Sequence, residues 1–272
     1  MRRSWRGETP AWLALGAIPD GAPFSTHTSV LLPTAADQPA MLKVATVPEE
    51  EQARHPGLVG RRARHGPLKE ALLMERATGS RSLAQMAATG EDDDATRILC
   101  AIAARLHRPR AHPPRSAVPL ETWFAALAPA AEREGGILGR SRAAATHLLA
   151  TPREVTVLHG DLHHGNVLDF GSRGWLAIDP KGLYGERGFD FANIFCNPDD
   201  AIATAPRRLS RQADIVAEAT GIDRARLLQW VLAYAGLSAS WTMEDGEDPA
   251  RTLAVADIAA QELAGKHNIH FS

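Results

Sequence analysis

The stretch His159-Gly160-Asp161-Leu162-His163-His164-Gly165-Asn166, with Ile178-Asp179-Pro180 after it, decides how the chain is read. Glu154 to Leu158 forms a β-type run that leads into this loop. Asn166 to Asp169 and Trp175 to Ile178 flank Gly171-Ser172-Arg173-Gly174, a hairpin signal. In that arrangement Asp161 ends a strand, where it can accept a hydroxyl proton, and Asn166 offers a neutral carbonyl oxygen further along the loop. The hairpin returns the chain, so that Asp179 arrives beside Asn166. One carboxylate and one amide oxygen suit Mg²⁺, a hard ion that prefers oxygen ligands. Two other readings compete. One is a surface hairpin with incidental Asp and Asn. The other makes His159, His163 and His164 zinc ligands, although the adjacent pair His163-His164 is awkward for one tetrahedral ion and no Cys joins it.

Around this stretch the chain has 272 residues, enough for one large domain or two small ones with a sizeable core. Apolar residues make up 44%, which predicts an ordinary globular fold. The net charge of −2 gives no basic face of the kind nucleic acid requires, so no nucleic-acid partner is expected. Lysine occurs only at Lys43, Lys69, Lys181 and Lys266 among 30 basic residues. A composition bias explains the excess of Arg, and the few remaining lysines are candidates for places that need a compact ammonium, with a solvent-facing strand lysine the plain alternative for Lys43. Cys100 and Cys196 sit in apolar surroundings and read as buried free thiols. The charged N-terminus has no apolar core after it and does not read as a signal peptide, and no apolar run approaches the ~18 residues of a membrane helix. A cytoplasmic protein with no membrane partner, most simply a monomer, is the expectation.

The first part of the chain reads as β-rich. Thr28 to Leu32 and Ala40 to Val44 are strands joined by a turn-rich link, with Met41 and Lys43 on one face of the second and Leu42 and Val44 on the other. Pro48 with Glu49, Glu50 and Glu51 opens a short helix, cut by Pro56-Gly57. Residues 55–69 show neither period and read as irregular, and Ala71 to Met74 as a buried strand. From residue 80 the pattern is helical. Ile98, Leu99, Ile102 and Leu106 share a face, and Thr89 with Asp92 fits a capping box. Asp92, Asp93 and Asp94 could be a metal cluster, but acidic residues belong at a helix start, which is the reading adopted. Further helices are predicted over Leu120 to Glu134, Arg140 to Leu149, Arg207 to Thr220, Asp223 to Met243 and Pro249 to Leu263. The order predicts an α+β fold: a small β-rich N-terminal lobe with its linking strand over 1–77, then a helical lobe over 78–272 that holds the catalytic hairpin. A cleft between two such lobes is a usual place for a small-molecule site.

The loop and hairpin resemble a kinase catalytic loop, and Leu158 to Val167 resembles the aminoglycoside phosphotransferases. Ile178-Asp179-Pro180-Lys181-Gly182 and Gly185-Glu186-Arg187-Gly188-Phe189-Asp190 narrow the resemblance to the aminoglycoside and hydroxyurea resistance kinase family, whose best-known activity is streptomycin 6-kinase. Leu73 to Gly79 and Ala103 to His107 fit the same family, and the likeness runs from about Pro10 to about Leu263.

The resemblance implies a protein-kinase-like two-lobe fold and an ATP- and Mg²⁺-dependent phosphotransferase. Phosphoryl transfer asks mainly for positioning and charge neutralisation. The family makes Asp161 the base that also meets the substrate, with Asn166 and Asp179 as Mg²⁺ ligands. Lys43 matches the lysine on the α- and β-phosphates, and Glu51 is the candidate partner for it. Leu73 to Ala77 matches the hinge, which brings Glu75 and Ala77 to the adenine through backbone groups. Gly21 to Thr28 matches the phosphate-covering loop; without a G-x-G-x-x-G pattern it would rely on backbone and on hydroxyls such as those of Ser25 and Thr26. Lys181, two residues past Asp179, could neutralise developing charge, and a solvated lysine is the plain alternative. Asp190, and His159 with it, would hold the loop in shape. The family also places a helix and a further strand between the lysine and the hinge, where this chain has Pro56 and the Arg-rich Gly60 to Pro67.

For the small-molecule substrate, a polycation such as streptomycin would need carboxylates for its guanidinium groups. Asp199, Asp200, Glu244, Asp245, Glu247 and Asp248 are candidates, with His163 beside the base and Trp241 as a stacking surface. Each acidic residue also reads as part of a solvated loop. Hydroxyurea or a metabolite alcohol would need no such wall. A non-catalytic, kinase-shaped nucleotide-binding protein is the competing reading, motivated by the stretch after Lys43.

Overall fold

Alternating apolar residues and a turn-rich link give the two longest strands, β3 (Ser29–Ala35) and β4 (Pro39–Ala45), which pair antiparallel with Leu31 opposite Lys43. They belong to a computed structural model that describes residues 18–25, 29–35, 38–45, 64–65, 71–109 and 117–265. Short strands β1 (Ile18–Pro19) and β2 (Phe24–Ser25) both pair with β3. On the other side β4 pairs with β6 (Ala71–Glu75), and β5 (Arg64–His65) pairs with β6 at the edge, giving the order β1-β3-β4-β6-β5. Ala40, Leu42 and Leu73 are the buried centre of this sheet, with Leu32 and Val44 packed against them. The strand β5 corrects the expectation that 55–69 is irregular throughout: Arg64 and His65 carry no strand pattern, and the exposed edge of β6 supplies the ladder that orders them. The helix expected from Pro48, and Glu51 on it, lie outside the described residues.

The chain divides into two units: residues 1–80 with 169–178, and residues 81–168 with 179–272. The second unit is helical. Its helices are α1 (Leu83–Ala88), α2 (Asp92–Leu106), α3 (Leu120–Trp123), α4 (Leu127–Glu134), α5 (Gly136–Ala150), α6 (Gly188–Ala192), α7 (Asp200–Ala203), α8 (Arg208–Thr220), α9 (Arg224–Glu244) and α10 (Ala250–Leu263). Between α2 and α6 run β7 (Val118–Pro119), β8 (Val155–Leu158), β9 (Val167–Asp169), β10 (Trp175–Ala177) and β11 (Leu183–Glu186). β9 and β10 form the expected hairpin, while β11 pairs antiparallel with β8 and parallel with β7.

Helix α9 is apolar around most of its circumference, and helices of that kind are buried. Trp230, Val231, Ala235 and Leu237 are fully enclosed along it. Phe189 lies edge-on to Phe124, Trp230 and Tyr234, 5.9 Å from Trp230 and 5.5 Å from Tyr234, and Phe124 is tilted against Trp230. Two buried ion clusters tie the shell to this core. Arg226 of α9 grips Glu186 at the end of β11 with both nitrogens, and Trp230 donates to the same carboxylate. Burial would raise the Glu186 carboxyl, but these hydrogen bonds hold it below its ordinary value. In the second cluster, Arg208 and Gln212 of α8 reach across to Asp92.

That second cluster overturns one expectation. Thr89 and Asp92 do not form a capping box: Glu91 is the N-cap, and the Thr89 hydroxyl donates back to Gln85 and Met86. Asp92 is buried and spent on Arg208, because a charge-assisted fork outweighs a backbone cap. The helix predicted over Leu120 to Glu134 is broken by a 3-10 turn at Phe124–Ala126, whose phenyl ring is drawn into the aromatic core.

Candidate active site

Strand β8 ends at Leu158, and the next residues form the loop that carries Asp161. Gly160 has φ +84, and a Cβ there would lie 2.8 Å from Leu183, so both the turn and the close approach of β11 require glycine. Asp190 of α6 fixes the turn: its Oδ2 accepts from the amide of His159 at 2.8 Å and its Oδ1 from the amide of Gly160 at 2.7 Å. His107, at the end of α2, places Nε2 2.8 Å from Asp190 Oδ2. Burial would push the Asp190 carboxyl up, yet the contact with His107, the imidazole charges and the Gly160 amide hold it below its usual range. The imidazole of His159 accepts from the amide of Asp161 at 3.2 Å, and the His159 carbonyl accepts from the amide of Lys181 at 2.7 Å. The loop is thus bound to α6 on one side and to the chain after the hairpin on the other.

Asp161 is held by two amides. Asn166 Nδ2 donates to its Oδ2 at 3.0 Å and to its backbone oxygen at 2.9 Å, and Asn193 Nδ2 donates to its Oδ1 at 2.9 Å. Lys181 Nζ stands 3.7 Å from Oδ2, and His163 Nε2 stands 3.7 Å from Oδ1. The ring of His163 is oriented by the Gly165 amide, which donates to Nδ1. Burial lowers the His163 imidazole, and the Asp161 charge opposes that only in part. Asp179 is near enough for its charge to act on the same imidazole. Asp179 itself has φ +62, a left-handed conformation that costs a non-glycine residue energy and that Asp tolerates better than most.

Asn166 and Asp179 fit a hard divalent ion. Both hydrogens of the Asn166 amide are committed to Asp161, so its Oδ1 is the lone-pair donor that remains. An amide oxygen with one carboxylate suits Mg²⁺, which keeps water and phosphate oxygens for its other positions. Among the described residues, no group of three or more His, Cys, Asp or Glu side chains converges as a metal site.

The remaining expected residues fall in two places. Lys43 lies on β4 between Leu31 and Leu72 in register, and Ser25 ends the exposed strand β2. Glu75 ends β6 and is ion-paired with Arg173, and Ala77 follows it. Thr26 lies outside the described residues. In the second unit, Asp199 is the N-cap of α7 and accepts from Ile202, while Asp200 pairs with Arg251 at 3.2 Å. Trp241 packs edge-on against Trp123 at 5.4 Å. Glu244 ends α9, Asp245 caps it, and Asp248 accepts from the Ala250 amide at the start of α10. Glu244 and Asp245 sit at a helix C-terminus, where negative charge is unfavourable. Trp241 follows Tyr234 by seven residues, two helical turns on the same face, and the Asp161 charge raises the Tyr234 hydroxyl further above a value that burial already pushes up.

Asn193 and His107 are site residues that the sequence reading missed as such. His107 ends the family-like stretch Ala103 to His107, and Asn193 stands just past Asp190; each meets its partner only through the tertiary fold.

Three comparisons bear on the site. Residues 15–246 match the family described as aminoglycoside/hydroxyurea antibiotic resistance kinase. The chain is 49% identical to a streptomycin 3''-kinase of Klebsiella pneumoniae over 90% of its own length and 95% of that protein's. It is 34% identical to a streptomycin 6-kinase of Streptomyces glaucescens, over 96% and 92% of the two chains. Among solved structures, an aminoglycoside phosphotransferase in ternary complex with ADP and hygromycin B superposes with a TM-score of 0.65 at 14% identity, covering 93% of this chain and 97% of that one. A choline/ethanolamine kinase family protein of Mesorhizobium loti gives 0.60 at 15% identity, over 90% and 87%. The fold is therefore the protein-kinase-like one expected from the sequence.

Proposed function

The chain belongs to the aminoglycoside/hydroxyurea antibiotic resistance kinase family, and on that premise we propose that it transfers the γ-phosphate of ATP to a hydroxyl of streptomycin, the 3''-hydroxyl first. The observation that carries the reading is the Asp161 carboxylate, fixed on both oxygens by amide donors and flanked at 3.7 Å by Lys181. Each carboxylate oxygen keeps a further lone pair. Asp161 can therefore accept the proton of a substrate hydroxyl while its orientation stays fixed. The hydroxyl oxygen forms a bond to the γ-phosphorus as the bond to the bridging oxygen breaks, and ADP leaves. Lys181 supplies positive charge beside the reacting oxygens.

Asn166 and Asp179 would hold Mg²⁺, which when bound neutralises phosphate charge. Lys43 would meet the non-transferred phosphates, with Ser25 and Thr26 over them and Glu51 as its partner, and the backbone of Glu75 and Ala77 would meet the adenine. On the acceptor side His163, Trp241, Glu244 and Asp245 are the candidates that support a cationic substrate. Asp199 and Asp200 support it less, since the first is a helix cap and the second is already paired with Arg251. The likeness to a streptomycin 3''-kinase favours the 3'' position over the 6 position.

The test incubates the protein with ATP and Mg²⁺ and, separately, streptomycin, hydroxyurea and neutral sugar alcohols. Streptomycin should gain the mass of one phosphoryl group, on the 3''-oxygen by phosphorus–proton correlation. Phosphorylation of hydroxyurea alone, or ATP binding with no product from any acceptor, would contradict the proposal.

A further inference from the structure

We infer that Asn193 is the positioning residue that sets the rotamer of Asp161, and that Asn197 locks Asn193 for that task. The inference rests on the reading of Asp161 as the base. Asn193 is buried, and its Nδ2 donates to Asp161 Oδ1 at 2.9 Å. An amide side chain can present either end, so something must choose. Asn197 chooses: its Nδ2 donates to Asn193 Oδ1 at 2.8 Å and to the Asn193 backbone oxygen at 3.0 Å. With Oδ1 taken as an acceptor, only the NH₂ end of Asn193 can face the carboxylate.

The placement divides the work within one short segment. Asp190 and Asn193 are three apart across a helical turn, a spacing that puts both on one face. Asp190 holds the backbone amides of His159 and Gly160, and Asn193 holds the side chain that follows them. Asn166 grips the other carboxylate oxygen from within the loop. Two donors stand ready to draw the carboxylate away if Asn193 is lost. Lys181 Nζ is 3.7 Å from one oxygen and His163 Nε2 is 3.7 Å from the other. Asn193 and Asn166 keep the carboxylate between them, aimed rather than collapsed onto a cation.

The experiment compares Asn193→Ala, Asn193→Asp, Asn197→Ala and Asp161→Asn with wild type in steady-state transfer across pH. Loss of a hydrogen bond to a charged group predicts a kcat about ten- to a hundredfold lower for Asn193→Ala, with the KM for ATP unchanged. Asn193→Asp keeps the shape and the Asn197 contact but sets a second carboxylate against Asp161. Two carboxylates in contact share a proton, so the acid limb of kcat should move up by about one pH unit or more. Asn197→Ala, which leaves Asn193 in place but free to flip, should lower kcat by a few fold with the same split, and stands in if Asn193→Ala fails to fold. Unchanged kcat in Asn193→Ala and Asn197→Ala, with an unmoved acid limb in Asn193→Asp, overturns the inference while loss of activity in Asp161→Asn keeps the reading of the base. Full activity in Asp161→Asn overturns both.

Discussion

Burial pushes the His164 imidazole down to about 4, and the Arg208 charge beside it acts in the same direction, against Asp92. Its two ring nitrogens are buried with no hydrogen-bond partner. The sign of the consequence follows from proton counting. Unfolded histidine titrates near 6.5, so between about pH 6.5 and about pH 4 the unfolded state binds a proton that the folded state refuses. Stability contributed by neutral His164 is present above that window and is lost as pH falls through it. The loss between about pH 7 and about pH 5 should be about 2 kcal/mol from this group. His164→Leu removes the titration and the unpaired nitrogens together. Urea unfolding at both pH values should show wild type losing about 2 kcal/mol more than the variant, and equal losses would place His164 in contact with water. At this scale the sequence was legible where spacing carries the chemistry. Asp161 and Asn166 lie within one loop, so their contact is local, and the hairpin returns the chain to put the charge of Asp179 within reach of His163. Asn193 and His107 were not legible, since each reaches its partner through the packing of α6 and α2, and no periodicity encodes such a contact.

Elements were legible where a period runs uninterrupted. Helices α8, α9 and α10 begin and end within a residue of the expected bounds, because Asp223 and Gly221 punctuate a strong apolar pattern. Legibility failed where an outside partner overrides local preference. Asp92 leaves its expected cap for Arg208, and β5 exists only because β6 offers an edge. The strand β11 was not expected either, since Leu183-Tyr184-Gly185-Glu186 is short and gains its order from β8. Close packing of α9 on α5 was equally invisible. A Cβ on Gly236 would overlap Ser141 of α5, so this helical glycine is kept for approach and not for a turn. Gly236→Ala raises intrinsic helix propensity and would stabilise an isolated helix. In the folded chain overpacking should win, at a cost of about 1–3 kcal/mol. Thermal unfolding of the variant tests this, and a midpoint at or above that of wild type would mean that α5 and α9 can part without penalty.

For the molecule as a whole, composition said little beyond an ordinary globule, and the order of elements said most. The chain divides into two units with separate cores, one around Leu42 and Leu73 and one around Trp230, and residues 169–178 of the hairpin group with the first unit and not with the helical one. No helix among the described residues is long and apolar enough to cross a membrane. Both cysteines are buried and free, and burial pushes each thiol up to about 12, which keeps them unreactive. The proposed function reduces to one chemical event, a proton taken by Asp161 as the phosphoryl group is transferred. The measurement closest to that event is the single-turnover rate of phosphoryl transfer from ATP to streptomycin, wild type against Asp161→Asn. The amide keeps the size of the side chain and removes the proton acceptor. The rate should fall by about 10²–10⁴-fold while ATP affinity stays within about twofold. A variant that transfers phosphate within about threefold of the wild-type rate would contradict the assignment of Asp161, and with it the mechanism built on its two amide partners.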